Sequence, residues 1–288
     1  MSRALALACL AVGLCGCPEP ARDTSGPKAY ERIVTLAPNL TELVYAIGAG
    51  DQLVGVSAWS DFPAPARELP VVGDAFTVDQ EQLALLDPDL LLVWESGTPA
   101  RAVDELRNAG YTVERIRTRS LEDVSKALLR VGELTGHSSK AAVVAANFEA
   151  ELEALRQSQA GRPSISVFYQ VSARPLYTVN REHYVSELIE ICGGRNIFDD
   201  LDGLAPAITV EAVVDRNPEV MLASTDAGDG AFAEWQRWPA VWANRYGNLF
   251  LLPADEIGRA TPRLIVAGGA MCLALQKARL NREALSGR

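Results

Sequence analysis

Residues 138–158 contain neither glycine nor proline and are rich in Ala, Glu and Leu, with Val144, Phe148, Leu152 and Leu155 at helical spacing. This predicts one helix of about 20 residues, near 30 Å long, ended by Gly161-Arg162-Pro163. So long a helix near mid-chain divides what lies on either side of it. Before it, Arg32–Leu36, Leu53–Val56, Leu90–Trp94 and Thr112–Ile116 read as strands; after it, Ile165–Tyr169, Val220–Ala223 and Leu249–Leu252 do. Helical patterns fall between them. Asn39, with Glu42 three residues later, reads as the cap of a helix stopped by Gly48. Arg101–Ala109 and Tyr184–Ile191 are further helices, and a last one opens at Thr261-Pro262, with Thr as N-cap and Pro at the first position. Strands alternating with helices indicate parallel α/β sheets. The expected layout is an N-terminal lobe over 31–137, a bridging helix over 138–160 and a C-terminal lobe over 161–288.

The first residues speak to export. Arg3 precedes an apolar run from Ala4 to Leu14, too short for a bilayer span of about 20 residues and patterned like a signal peptide. It ends in Leu14-Cys15-Gly16-Cys17, which resembles a bacterial lipobox and implies cleavage after residue 16 and lipidation of Cys17. Plain secretion with an ordinary cleavage site is the alternative. Residues 17–30 are rich in Pro, Ser, Asp and Gly and read as a flexible tether.

With 27 basic and 37 acidic residues the chain carries a net charge of −10, and it becomes more negative when Arg3 leaves with the leader. That charge disfavours a nucleic-acid partner. Of five cysteines only Cys192 and Cys272 remain in the body. In an exported protein they point to one disulfide, or else to two buried thiols. Closing that loop would constrain the unfolded chain by roughly 4 kcal/mol.

A faint repeat relates the halves. Asp79-Gln80-Glu81 leads through an apolar stretch to Asp87-Pro88-Asp89 and a strand; Thr209-Val210-Glu211 leads likewise to Asn217-Pro218-Glu219 and a strand. In each half a short helix starts with a glutamate and feeds a strand. Acidic residues suit the first turn of any helix, which is the plain reading; a shared functional role is the sharper one.

Several segments, in order, resemble the class III periplasmic solute-binding proteins of ABC importers. They are Arg32-Ile33-Val34-Thr35-Leu36-Ala37-Pro38-Asn39-Leu40-Thr41-Glu42-Leu43, Ser57-Ala58-Trp59-Ser60-Asp61-Phe62-Pro63, Asp87-Pro88-Asp89-Leu90, Ile191-Cys192-Gly193-Gly194-Arg195-Asn196-Ile197-Phe198 and Arg259-Ala260-Thr261-Pro262-Arg263. The resemblance spans about residues 30–280 and is strongest to the cobalamin-binding members. It implies two Rossmann-like α/β lobes bridged by a single long α-helix, with the ligand cleft between them. It also implies a Cys192–Cys272 disulfide, and Glu81 and Glu211 as docking residues for the permease dimer of an ABC importer. A monomer anchored to the membrane by lipid is expected.

The same resemblance places Trp59, Phe76, Trp94, Tyr169, Gln170, Tyr177, Asp255 and Arg259 at the ligand, expected to be a corrinoid (cobalamin). The chain departs from the family where Ala75, Ala205 and Glu256 stand for cleft tryptophans. Arg259 is read equally as a partner for an anionic ligand or as a structural cap. Trp235, Trp238 and Trp242 read as a packing stripe on one helix, and His183 as a surface residue at a helix start. Ferric siderophore and haem remain alternatives; a haem would take an axial Tyr or His such as Tyr177, His183 or Tyr184. No cofactor is expected, and with only His137 and His183 no zinc or manganese site is. The sequence has no HExxH, GxSxG or P-loop motif, so an enzyme is a distant reading, as is a lipoprotein without a transport role.

Overall fold

The computed structural model describes residues 29–74, 77–228 and 230–286. The leader, Cys17, most of the tether and Phe76 therefore lie outside the described residues.

The chain begins with β1 (Ile33–Thr35), α1 (Pro38–Ala46), β2 (Leu53–Val56), α2 (Gln80–Leu86), β3 (Leu90–Trp94), α3 (Ala100–Asn108), β4 (Val113–Ile116) and α4 (Leu121–Thr135). The strands pair in the order β2-β1-β3-β4, all parallel. The apolar run of β3 is central and buried, as a parallel strand covered on both faces should be. α4 is started by a capping box, Ser120 with Asp123, and stopped by Gly136 in the left-handed region at φ 74°.

The predicted long helix is α5 (Ser138–Ser158). Its buried face is Ala141, Ala145, Phe148 and Leu152, with Val144 and Leu155 at its margin, so alanines let α4 pack closely where the apolar spacing alone suggested larger side chains. Then follow β5 (Ile165–Gln170), an antiparallel hairpin of β6 (Ser172–Ala173) and β7 (Leu176–Tyr177), α6 (Tyr184–Ile191), β8 (Gly194–Asn196), α7 (Val210–Arg216), β9 (Val220–Ser224), α8 (Trp242–Tyr246), β10 (Leu249–Leu252), α9 (Ala254–Gly258) and α10 (Leu264–Ser286). The second parallel sheet runs β10-β9-β5-β8. Counted by appearance in each half, both sheets have the order 2-1-3-4. The faint sequence repeat is thus the visible part of a duplicated lobe topology. Its two helices match in detail: Asp79 caps α2, Thr209 caps α7, and each helix ends on a non-glycine left-handed residue before proline, Asp87 at φ 41° and Asn217 at φ 45°.

Three local expectations are corrected. Asn39 does not cap α1; Pro38 opens the helix after Ala37, and the Asn39 side chain reaches Thr118. Trp235, Trp238 and Trp242 do not share a helix: Trp235 lies in a 3₁₀ turn and is fully buried, and Trp242 begins α8. The last helix proper starts at Leu264, although Thr261 does open its first turn, its carbonyl accepting from Leu264 N–H at 3.0 Å and its hydroxyl from Arg263 N–H at 3.3 Å. Cys192, at the end of α6, is bonded to Cys272 in α10, with Cα atoms 4.7 Å apart.

The lobes are also tied directly. Tyr184 N–H donates to the Arg119 carbonyl at 2.6 Å, and Glu187 of α6 accepts from Leu121 N–H at 3.0 Å, satisfying an open donor at the start of α4. Among the described residues no helix is long and apolar enough to cross a membrane.

Candidate functional site

Between the lobes lies a cleft with a cavity of about 300 Å³. One wall comes from the N-terminal lobe, with Pro38, Asn39, Trp59 and Trp94; the other is Asp226 and the segment around α9, with Asp255 and Arg259. The wall positions follow from topology, because all except Trp59 sit at or just beyond carboxyl ends of parallel strands, at helix starts, or on or directly after α9, which follows β10. Ligands of open α/β sheets bind at that end.

Trp94 ends β3 and is half-buried, and its Nε1 is a buried donor with no hydrogen-bond partner among the described residues. Gly97 lies against its indole: a Cβ there would come within 2.0 Å of Trp94 Cε3. Trp59 is the opposite case. It is 80% exposed and has φ 67°, a region bulky residues rarely adopt.

Among the described residues Arg259 is the only basic one lining the cavity, and its charge is already met. Its Nη1 donates to Glu42 Oε1 at 2.9 Å and to Asp61 Oδ1 at 2.7 Å; its Nη2 lies 3.2 Å from the Trp59 carbonyl and 3.1 Å from Asp255 Oδ1. Burial alone would raise the Asp61 pKa, but the hydrogen bond and charge of Arg259 hold it below the usual carboxylate range. Burial would likewise lower that of Arg259, and its bonds to Asp61 and Glu42 raise it instead. Of the two readings of Arg259, the geometry fits the structural one. Glu42 is 4% exposed and also accepts from Arg263 Nη1 at 3.0 Å and from the Thr261 hydroxyl at 3.1 Å. Glu256, expected from the resemblance to stand in place of a cleft tryptophan, pairs with Arg263. Sequence reasoning missed Glu42 because its partners lie more than two hundred residues away; the missed wall residue Asp226 carried no motif.

Of the other expected contacts, Phe76 lies outside the described residues, and Tyr169, Gln170 and Tyr177 do not line this cavity. Tyr169 is buried in the core, where burial raises its hydroxyl pKa well above the ordinary value. Gln170 points into its own lobe: Oε1 accepts from Trp235 Nε1 at 2.7 Å and Nε2 donates to the Ala231 carbonyl at 2.8 Å. Its amide is satisfied there and is not a free polar group at the cleft rim. Tyr177 is half-buried on the β6–β7 hairpin. His183 is a half-buried N-cap rather than a surface residue, with Nδ1 accepting from Val185 N–H at 3.2 Å. Among the described residues no cluster of His, Cys, Asp or Glu is arranged to hold a metal ion. Glu81 and Glu211 sit at matching second positions of α2 and α7, both exposed, and among the described residues neither carboxylate has an ion-pair partner.

The sequence matches the periplasmic binding protein family over residues 33–256. It is 34% identical over 252 residues to the vitamin B12-binding protein of Vibrio parahaemolyticus serotype O3:K6, covering 86% of this chain and 90% of the relative. The crystal structure of the periplasmic vitamin B12 binding protein of Vibrio cholerae superposes with a TM-score of 0.79 at 33% identity, covering 88% of this chain and 99% of that one. A periplasmic heme-binding protein of Roseiflexus sp. RS-1 shares the fold, with a TM-score of 0.75 at 23% identity over 86% of this chain and 98% of its own.

Proposed function

The chain belongs to the periplasmic binding protein family, and we propose that it is an extracytoplasmic, lipid-anchored, monomeric member that binds a corrinoid, cobalamin, in the Trp59–Trp94 cleft and delivers it to an ABC importer. The observation that carries the ligand class is the charge and shape of that cleft. Among the described lining residues, two indoles offer flat apolar surface, Asp226 and Asp255 offer acceptors, and the single arginine is neutralised by carboxylates. A corrinoid is a broad macrocycle rimmed with neutral amides, whose faces suit indoles and whose N–H groups suit carboxylates. The likeness to vitamin B12-binding proteins supports the same choice.

Among the described lining residues, a ferric siderophore of anionic type would meet the carboxylates of Asp226 and Asp255 and one arginine already engaged by Glu42, Asp61 and Asp255. A haem needs an axial ligand. The Tyr184 hydroxyl donates to the Ile257 carbonyl at 3.0 Å, and the His183 Nδ1 is occupied by Val185 N–H. The cavity volume is at the small end for a drug-sized ligand. A corrinoid would therefore fill it only in part and lie across its mouth against the exposed face of Trp59, or part the lobes modestly. The direct ties between the lobes favour small motion. In this role the protein captures and hands over its ligand and catalyses nothing.

Calorimetric titration of the soluble body, starting at Glu19, with cyanocobalamin tests the reading. One-to-one binding with submicromolar Kd, weakened by Trp94→Ala, is expected. Absence of both heat and tryptophan quenching overturns it and brings haem and ferric siderophores forward.

A further inference from the structure

We propose that Arg259 is a positioning residue that acts across the lobe boundary, holding Trp59 in its left-handed backbone conformation so that the indole stands at the cleft. The argument starts with the loop. Residues 57–61 are fastened from below by a chain of buried hydroxyls: Thr35 Oγ1 is 2.7 Å from Thr41 Oγ1, which donates to Ser60 Oγ at 3.0 Å, and Ser60 Oγ is 3.2 Å from Ser57 Oγ. Ser57 and Ser60 are 1% and 6% exposed, while Trp59 between them is 80% exposed. The loop is thus pinned on both sides of a residue that itself packs on little.

A tryptophan at φ 67° is sterically disfavoured and persists only where its surroundings over-determine it. The Trp59 carbonyl receives two donors, Asp61 N–H at 3.0 Å from its own loop and Arg259 Nη2 at 3.2 Å from the other lobe. Arg259 also binds Asp61 Oδ1, so it grips the loop at two points. The guanidinium is 13% exposed and is oriented by Glu42 and Asp255. A planar fork with several donors can meet these acceptors together; a lysine ammonium, a point charge, cannot do so in the same geometry. The Arg259 share of this lock holds only while the two lobes keep their present relation, which couples the presentation of Trp59 to lobe position.

This inference rests on the corrinoid reading for its affinity arm but not for its structural arm. The mature chain, labelled with 5-fluorotryptophan, is compared with Arg259→Lys and Arg259→Met by ¹⁹F NMR, the Trp59 line being assigned by its loss in Trp59→Phe. The expected result is that the Trp59 line shifts or broadens in both variants, while the Trp235 line, buried in the core, stays in place and reports an intact fold. Cyanocobalamin affinity should fall about tenfold in Arg259→Lys. It should fall no further when Arg259→Lys is added to Trp59→Ala. An unchanged Trp59 line overturns the proposal. So does a loss of affinity that persists undiminished in the Trp59→Ala background, which would make Arg259 a direct ligand contact. If the unaltered protein binds no cyanocobalamin, the corrinoid reading fails, and the ¹⁹F comparison still decides the positioning role.

Discussion

The Trp235 indole donates its Nε1 hydrogen to Gln170 Oε1 at 2.7 Å inside the C-terminal lobe, where Trp235 is fully buried and Gln170 is 3% exposed. The pair joins β5 to the segment after β9, and Trp235 also packs edge-on against Phe168 at 5.5 Å. A buried acceptor left without a partner costs about 1–3 kcal/mol. Trp235→Phe strands Gln170 Oε1 and opens a void, so urea unfolding should show a loss of about 2–3 kcal/mol. Because Gln170 faces the lobe interior, the dissociation constant for the cleft ligand should stay within about twofold. A large loss of affinity at unchanged stability would return Gln170 to the cleft.

The features legible in the sequence are those carried by local pattern. The glycine-free stretch became α5, and the apolar run Leu90–Trp94 became the buried β3 without a change of boundary. Asp79 and Thr209 cap the two matching helices because a side-chain acceptor just before a helix needs only its own neighbours. What escaped was non-local. Gly194–Asn196 has no apolar signature, yet it forms β8 because it pairs with β5. Glu42 looks like the acidic half of a capping box until Arg259 and Arg263 arrive from the other lobe. The direction of Gln170 was open because a residue at a strand end can point either way, and the Trp235 donor that decides it sits 65 residues later.

His183 predicts an acid-sensitive element. Burial lowers its pKa to about 4 from an ordinary value near 6.5, so the fold favours the neutral ring. The neutral Nδ1 accepts the Val185 N–H at the start of α6, and an imidazolium cannot accept it. A folded-state pKa below the unfolded one means that this stability is present above about pH 6.5 and is lost progressively as the pH falls toward 4. The loss is on the order of 2–3 kcal/mol. His183→Asn keeps a capping acceptor that does not titrate. Urea midpoints measured between pH 7.5 and 4 should fall less steeply for the variant than for the unaltered protein. Parallel curves would assign the acid sensitivity elsewhere.

Glu81 and Glu211 make the final prediction, on the proposed docking to an importer. Each is the second residue of a short helix, α2 or α7, that occupies the same place in its lobe, and each is exposed. Two like lobes therefore present two like carboxylates, the arrangement that a permease dimer with two basic patches would recognise. Opposed charges of this kind govern encounter and register more than ligand affinity. Both residues lie away from the lining of the cleft, so Glu81→Ala with Glu211→Ala should leave cyanocobalamin affinity within about twofold while lowering uptake in cells by tenfold or more. Each single variant should show an intermediate loss that deepens at higher salt, because a remaining exposed ion pair is screened. Normal uptake by the double variant would remove both glutamates from the docking surface, whatever the identity of the ligand.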